Sequence, residues 1–267
     1  MCSSDLGDWA RVNIHGQPHS GRRGAWGGYQ GWLRADALLS PPPGHRHNAV
    51  IRARRAELHL EDGAPAAEPL TLSLGSPLRV EKRDGSQLTA RLLDGRTARV
   101  DPEIVFSLDS PLGADVRRAV LEAGALFLGD PYLWGGRSSI GSAERRGVDC
   151  SGLVHLAYRT VGLTLPRDAQ HQFLRCKRVG RQGLAPADLV FLTKSARSKR
   201  ITHVMLYTGT DGILESRESA KRALRTTFVQ RFGASLDSIE SGDVVTDLTR
   251  KKPLRRRIYF GSFLGGI

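Results

Sequence analysis

The stretch GVDCSGLVHLAYRTVG, residues 147–162, constrains the fold more than any other part of the chain. Leu153, Val154, Ala157, Tyr158 and Val161 recur at the spacing of one helical face, so a helix with a single apolar stripe has to be buried against a partner layer. One turn back along that stripe lies Cys150, at the point where the helix should begin. A cysteine inside a helix is ordinarily a small buried apolar side chain. At a helix start, however, unpaired N–H groups and the positive end of the dipole favour the thiolate, so the expectation is a lowered thiol pKa and a nucleophile.

A thiolate nucleophile needs a base, supplied from far along the chain but close in the fold. Of the eight histidines, His15, His19, His45, His47 and His59 lie among Gly, Pro and Arg in the first third and read as loop or linker residues. His155 sits just over one turn along the Cys150 helix, and His171 lies in the polar run RDAQHQ. His203 remains, within RITHVMLYTGTDGILES, where two β-rich apolar runs flank a Gly/Thr/Asp turn in the pattern of a hairpin. A five-residue loop from Tyr207 to Asp211 would set Glu215 directly opposite His203. Opposed residues share a face of the sheet, so the carboxylate could hold the imidazole ring and its tautomer. The residues thus offer Cys150 as nucleophile, His203 as base and Glu215 as orienter.

With these residues in place, the chain resembles the NlpC-type peptidases of bacterial cell walls, papain-like cysteine peptidases. YLWGG at 132–136, DCSG at 149–152 with its helix, APADLVFL at 185–192 and THVMLYTG at 202–209 carry the resemblance, which covers roughly residues 110–265. It implies hydrolysis of the γ-D-glutamyl to diamino acid bond of peptidoglycan stem peptides. It also implies that Cys150, His203 and Glu215 are the catalytic set and that Tyr132 lies beside the nucleophile to help bind the oxyanion. Asp149 and Ser151 match residues that line the site and hold the amino end of the substrate. Two departures stand out. The family's third catalytic position is most often His, and here it is Glu215. The segment SSIGSAERR, between YLWGG and DCSG, is longer and more charged than the family pattern leads one to expect.

No metal or cofactor is expected: three cysteines without a CxxC pair, and histidines without HExxH spacing, do not make a zinc site. Cys176, in FLRCKR, has basic neighbours but no helix start, and Cys2 reads as an exposed terminal thiol.

The first hundred residues are of a different kind. AVIRARRAELHL, TLSLGSPLRVEKR, SQLTARLLDG and TARVDPEIV read as short strands at turn-punctuated intervals, the pattern of a small barrel. They resemble bacterial SH3-like modules. The expected organisation is a partial module over 1–40, a linker over 41–47 in SPPPGHRHN, a second module over 48–106, and the peptidase domain over 110–267. In such peptidases the modules can narrow the cleft, here through Trp32 or Tyr29, although both aromatics would equally fill a small barrel core. Further on, KRALRTTFVQRF reads as a strand plus a loop and RRRIYFGSFLG as a closing core strand.

Lys and Arg exceed Asp and Glu by thirteen. Such a surface seeks an anionic partner. Nucleic acid is not expected, because no zinc finger, RNP-like aromatic motif or glycine loop accompanies the basic runs. Peptidoglycan stem peptides, or the muropeptides released from them, carry the carboxylates that such a field would draw in. The clusters Arg52 to Arg55 and Lys251 to Arg257 read as solvated faces. No apolar run reaches membrane-spanning length, and the start MCSSDLGDWA lacks the basic and apolar regions of a signal peptide. A genuine start points to the cytoplasm and to recycling of wall peptides; a start lost by truncation leaves the envelope or secretion open.

The expected fold class is therefore α+β, a helix bearing Cys150 packed on an antiparallel sheet bearing His203, preceded by small SH3-like β-barrels. The expected activity is that of a cysteine endopeptidase. The alternatives are a catalytically silent wall-binding protein and an acyltransferase or amidase on the same scaffold.

Overall fold

The computed structural model describes residues 5–6, 8–20, 25–61, 69–142 and 144–265. Cys2 and Ala143, the latter within SSIGSAERR, lie outside the described residues. The chain divides into two units, Met1–Pro111 with Gly162–Leu165, and Leu112–Val161 with Pro166–Ile267.

In the first unit, β1 (Asp5–Leu6), β2 (Trp9–Ser20) and β3 (Trp26–Arg34) form a three-stranded sheet in that order. Residues 38–48 contain neither helix nor strand. Seven strands follow: β4 (Ala49–Ile51), β5 (Arg55–Leu60), β6 (Leu70–Ser73), β7 (Pro77–Asp84), β8 (Gln87–Arg91), β9 (Thr97–Val100) and β10 (Val105–Ser107). They pair in the order β10-β4-β7-β8-β9-β5-β6, every pairing antiparallel. Strand alternation builds their core: Ala56 and Leu58, Leu88 and Ala90, and Ala98 and Val100 point inward while Glu57, His59 and Arg99 between them are exposed. Trp32 is 43% exposed on β3, and half-buried Tyr29 meets the edge of the His19 ring, centroid to centroid 4.7 Å.

The second unit opens with α1 (Val116–Ala125), the short pair β11 (Arg137–Ser138) and β12 (Gly147–Val148), then α2 (Cys150–Arg159) and α3 (Ala169–Arg175). The strands β13 (Lys177–Arg178), β14 (Leu189–Thr193), β15 (Ile201–Gly209), β16 (Gly212–Arg217) and β17 (Arg222–Thr227) come next, then α4 (Phe228–Phe232), β18 (Val244–Asp247) and β19 (Leu254–Ser262). The main sheet runs β13-β19-β14-β15-β16-β17, with β18 pairing β19. All five residues of β14 are buried, as the continuous apolar run LVFLT requires of a strand covered on both faces. Val190, Leu192, Met205, Tyr207 and Ile213 form one core with Phe228 and Phe232 of α4. On the opposite face Leu206 and Leu214 close over α1 at Gly124, where an added Cβ would lie 2.9 Å from Leu206 Cδ1. No helix of the described residues is long and apolar enough to cross a membrane.

Three sequence expectations change here. The β15–β16 loop is a two-residue turn, not five: Thr210 and Asp211 both adopt left-handed φ values, 45° and 64°, between paired Gly209 and Gly212. Two successive positive φ values give a turn whose twist suits a hairpin. The register therefore slips by two residues, with Leu206 opposite Leu214 and Tyr207 opposite Ile213. A slip of two preserves the face, so Glu215 is the diagonal rather than the direct neighbour of His203. The run 221–232 is a strand followed by a helix, α4, opened by a capping box in which Thr227 and Gln230 satisfy each other's backbone N–H groups. Finally, Arg256 is not on a solvated face: its guanidinium is buried and donates to Asp247 Oδ2 at 3.0 Å, whereas Lys251, Lys252, Arg255 and Arg257 are exposed.

A close approach of chains sets the entry to α2. Gly147 has φ +140°, and a Cβ there would fall 2.5 Å from the Pro131 carbonyl oxygen and 2.9 Å from Leu133 Cβ. Gly147→Ala is therefore expected to cost roughly 2–3 kcal/mol by combining strained backbone with overpacking, read as a lowered thermal unfolding midpoint.

Candidate active site

α2 begins at Cys150 because Asp149 ends the preceding extended segment and caps the helix. The Asp149 carboxylate accepts the Gly152 N–H at Oδ1, 2.6 Å away. That one carboxylate gathers four further hydrogen bonds. Oδ1 also accepts from Ser151 Oγ at 3.2 Å and Arg167 Nη1 at 3.0 Å, and Oδ2 from Arg167 Nη2 at 2.7 Å and the Gly135 N–H at 2.9 Å. Arg167 is itself buried and donates to Ser151 Oγ at 3.0 Å, while Gln172 of α3 donates to the Ser151 carbonyl at 3.0 Å. Asp149 and Ser151, expected to line the site, thus sit at the helix start with the carboxylate engaged by this chain's own donors. Arg167 and Gln172 were not anticipated from the sequence, where they stand among ordinary polar residues of PRDAQHQ.

The YLWGG segment reaches the same place through a turn. Leu133 O accepts the Gly136 N–H at 2.8 Å, with Gly135 at φ +76° between them. Tyr132 pairs as an isolated bridge with Val148, two residues before Cys150. Burial, reinforced by Cys150 and Asp149, raises the Tyr132 pKa well above its ordinary value, so its hydroxyl is a proton donor at neutral pH. Trp134 is 84% exposed beside it in sequence.

Cys150 is buried at the start of α2, the helix that packs against β15 and β16, the strands of His203 and Glu215. His203 Nε2 lies 2.6 Å from Glu215 Oε2, both side chains buried. Burial depresses the His203 pKa and outweighs the hydrogen bond and charge of Glu215, so the imidazole rests neutral. Burial alone would lift the Glu215 pKa, but His203, Arg231 and Arg217 together hold it below the usual value and the carboxylate stays ionised. The neutral ring then carries its proton on Nε2, which donates to Glu215, and Nδ1 is a free base.

The lowered thiol pKa expected from the helix start is not what the site provides. Burial first, and the adjacent Asp149 charge second, push the Cys150 thiol up to about 12, and the Val204 and Ser151 N–H groups offset only part of this. The thiol is therefore protonated at neutral pH. In a difference spectrum against Cys150→Ala, no thiolate absorbance near about 240 nm is expected to develop between about pH 6 and 10; a step at an ordinary thiol pKa of about 8.5 would contradict this. Cys176, also buried and shifted up to about 11, stays protonated as well. His155 is buried within α2, and His171 lies on α3 with Nδ1 3.6 Å from Asp168 Oδ2.

A capped helix that opens on a thiol is thus set against an antiparallel sheet that supplies a histidine and its carboxylate. The profile of the NlpC/P60 family matches residues 129–236, which lie within the second unit except for Gly162–Leu165. The chain is 29% identical over 222 residues to a γ-D-glutamyl-L-lysine dipeptidyl-peptidase of Bacillus subtilis, a match spanning 83% of this chain and 70% of that protein. It is 32% identical over 136 residues to a peptidoglycan endopeptidase of Mycobacterium tuberculosis, covering 44% of this chain and 55% of the other. Among solved structures, an NlpC/P60 family protein from Bacillus cereus superimposes with a TM-score of 0.73 at 24% identity, over 85% of this chain and 73% of its own. That likeness is one of fold.

Proposed function

We propose that the protein is a cysteine peptidase that hydrolyses the γ-D-glutamyl to diamino acid bond of peptidoglycan stem peptides, with Cys150 as nucleophile, His203 as base and Glu215 as orienter. The observation that carries this reading is the 2.6 Å pair of His203 and Glu215, held on the two strands against which the helix opening at Cys150 packs. The named activities of the relatives support the substrate class.

Because the thiol rests protonated, proton transfer and attack occur together. His203 Nδ1 takes the thiol proton as the sulfur bonds to the amide carbon, and the imidazolium that forms is stabilised by the ionised Glu215. Charge develops on the carbonyl oxygen within reach of the Cys150 N–H, one of the unpaired donors of the helix start, and of the Tyr132 hydroxyl. The imidazolium then protonates the departing amine of the diamino acid, the C–N bond breaks and a thioester remains. Water, deprotonated by His203, attacks the thioester, releases the γ-carboxylate of D-glutamate and restores the thiol.

The reading is tested by incubating the full chain with L-Ala-γ-D-Glu-L-Lys, its diaminopimelate counterpart and intact muropeptides, and identifying products by mass. Release of L-Ala-D-Glu supports it. Intact substrates with retention of the chain on peptidoglycan sacculi would overturn it in favour of a wall-binding protein, and transfer of the acyl group to an acceptor other than water would mark an acyltransferase.

A further inference from the structure

Glu215 is 1% exposed, and a carboxylate so deeply buried needs donors at both oxygens. The two oxygens are shared unequally. Oε2 meets His203, while Oε1 accepts from Arg217 Nη1 at 2.8 Å and lies 3.5 Å from Arg231 Nε. Arg231 is buried and fixed from behind: its Nη1 donates to Asp247 Oδ1 at 2.8 Å and to Thr249 Oγ1. Asp247 Oδ2 accepts from Arg256 Nη1 at 3.0 Å, and Arg256 Nη2 donates to Thr202 Oγ1 at 2.8 Å. The network that leaves His203 through Glu215 therefore returns to the residue beside His203 on the same strand.

Three guanidinium groups, Arg217, Arg231 and Arg256, face two carboxylates, Glu215 and Asp247, with a neutral imidazole at the edge. A histidine at the position of Glu215 would be neutral and would need no such surroundings. A glutamate brings a charge, a second oxygen and a free rotation, each of which could misdirect the ring. Arg217 and Arg231 deal with all three by holding Oε1.

We propose that Arg217 and Arg231 are positioning residues for the hydrolysis: they hold the Oε1 oxygen of Glu215 so that Oε2 alone orients the His203 ring toward Cys150, and they act on the reaction only through Glu215. This rests on the roles given to Cys150, His203 and Glu215 above. It makes the glutamate and the two arginines one unit, so that their substitutions should not be independent.

The test measures kcat and KM on the stem tripeptide for Arg217→Met, Arg217→Lys, Glu215→Gln and the Arg217→Met/Glu215→Gln double variant, with thermal unfolding of each. Arg217→Met is expected to lower kcat about 10- to 100-fold with KM within about twofold, and Arg217→Lys to recover most of it. The double variant is expected to be no slower than Glu215→Gln alone, because the arginine has nothing left to position. If Arg217→Met does not fold, Arg217→Gln, which keeps a donor for Oε1, is read by the same comparison. Wild-type kcat in the arginine variants beside a slow Glu215→Gln would overturn the clamp and leave the catalytic set standing, as would losses that multiply in the double variant. Wild-type kcat in Glu215→Gln would instead remove the orienter itself.

Discussion

Cys150→Ala is expected to lower the hydrolysis of stem peptides by more than about 10⁴-fold while leaving the fold in place. The loss is large because no other group can form the covalent intermediate: Cys176 is the remaining described thiol, and it lies buried on a different segment with its own partner, the Phe173 carbonyl at 3.4 Å. The structural cost is small because the thiol is a small group and Asp149, not Cys150, caps the helix. Circular dichroism and the unfolding midpoint should match those of the wild type. A variant that retains more than about a hundredth of the activity would remove the thiol from the mechanism.

Asp149→Ala is expected to destabilise the second unit by about 3–5 kcal/mol, because it leaves the Arg167 guanidinium buried without its carboxylate and also removes the α2 cap. Arg167 is 4% exposed, so water cannot readily take the place of Asp149. A loss of this size lowers the unfolding midpoint by roughly 10 °C for a unit of this length. Arg167→Ala should cost a similar amount, and the two losses should not add, since either one alone breaks the same pair. Asp149→Asn keeps an oxygen for the Gly152 N–H and should recover part of the stability. Activity should fall in all three, because the helix start that carries Cys150 depends on the same carboxylate. A change of less than about 1 kcal/mol in Asp149→Ala would mean that the bonds seen here contribute little beyond an exposed ion pair.

What could be read from the sequence follows how local the determining physics is. The helix beginning at Cys150 was legible because its apolar stripe and its acidic cap lie within one short segment. The pairing of Glu215 with His203 survived an incorrect loop length because strand faces depend only on parity, and the slip was of two residues. The two-residue turn itself gave little signal, since Thr210 is a poor candidate for a left-handed conformation. Nor did Ala187, which adopts φ +70° in the APADLVFL segment. The α4 helix did carry a signal that strand alternation masked: TFVQ, with Thr227 three residues before Gln230, is a capping-box pattern. The arginines around Glu215 were not legible. Arg217, Arg231 and Arg256 come from three segments, and each reads as a surface cation until the fold turns it inward. The thiol pKa was misjudged for the same reason, because burial and the Asp149 charge belong to the assembled site and exceed the effect of the helix start.

The central claim is that the Cys150 sulfur takes the acyl group of the γ-D-glutamyl bond. It is tested most directly by acid-quenching the full chain with excess L-Ala-γ-D-Glu-diaminopimelate, then measuring the intact protein mass and mapping the adduct by peptide sequencing. An adduct with the mass of L-Ala-D-Glu less one water, on Cys150, lost in Cys150→Ala and weakened in His203→Ala, is the expected result. Cleavage of the substrate with undiminished rate in Cys150→Ala, or an adduct mapped to another residue, would contradict it.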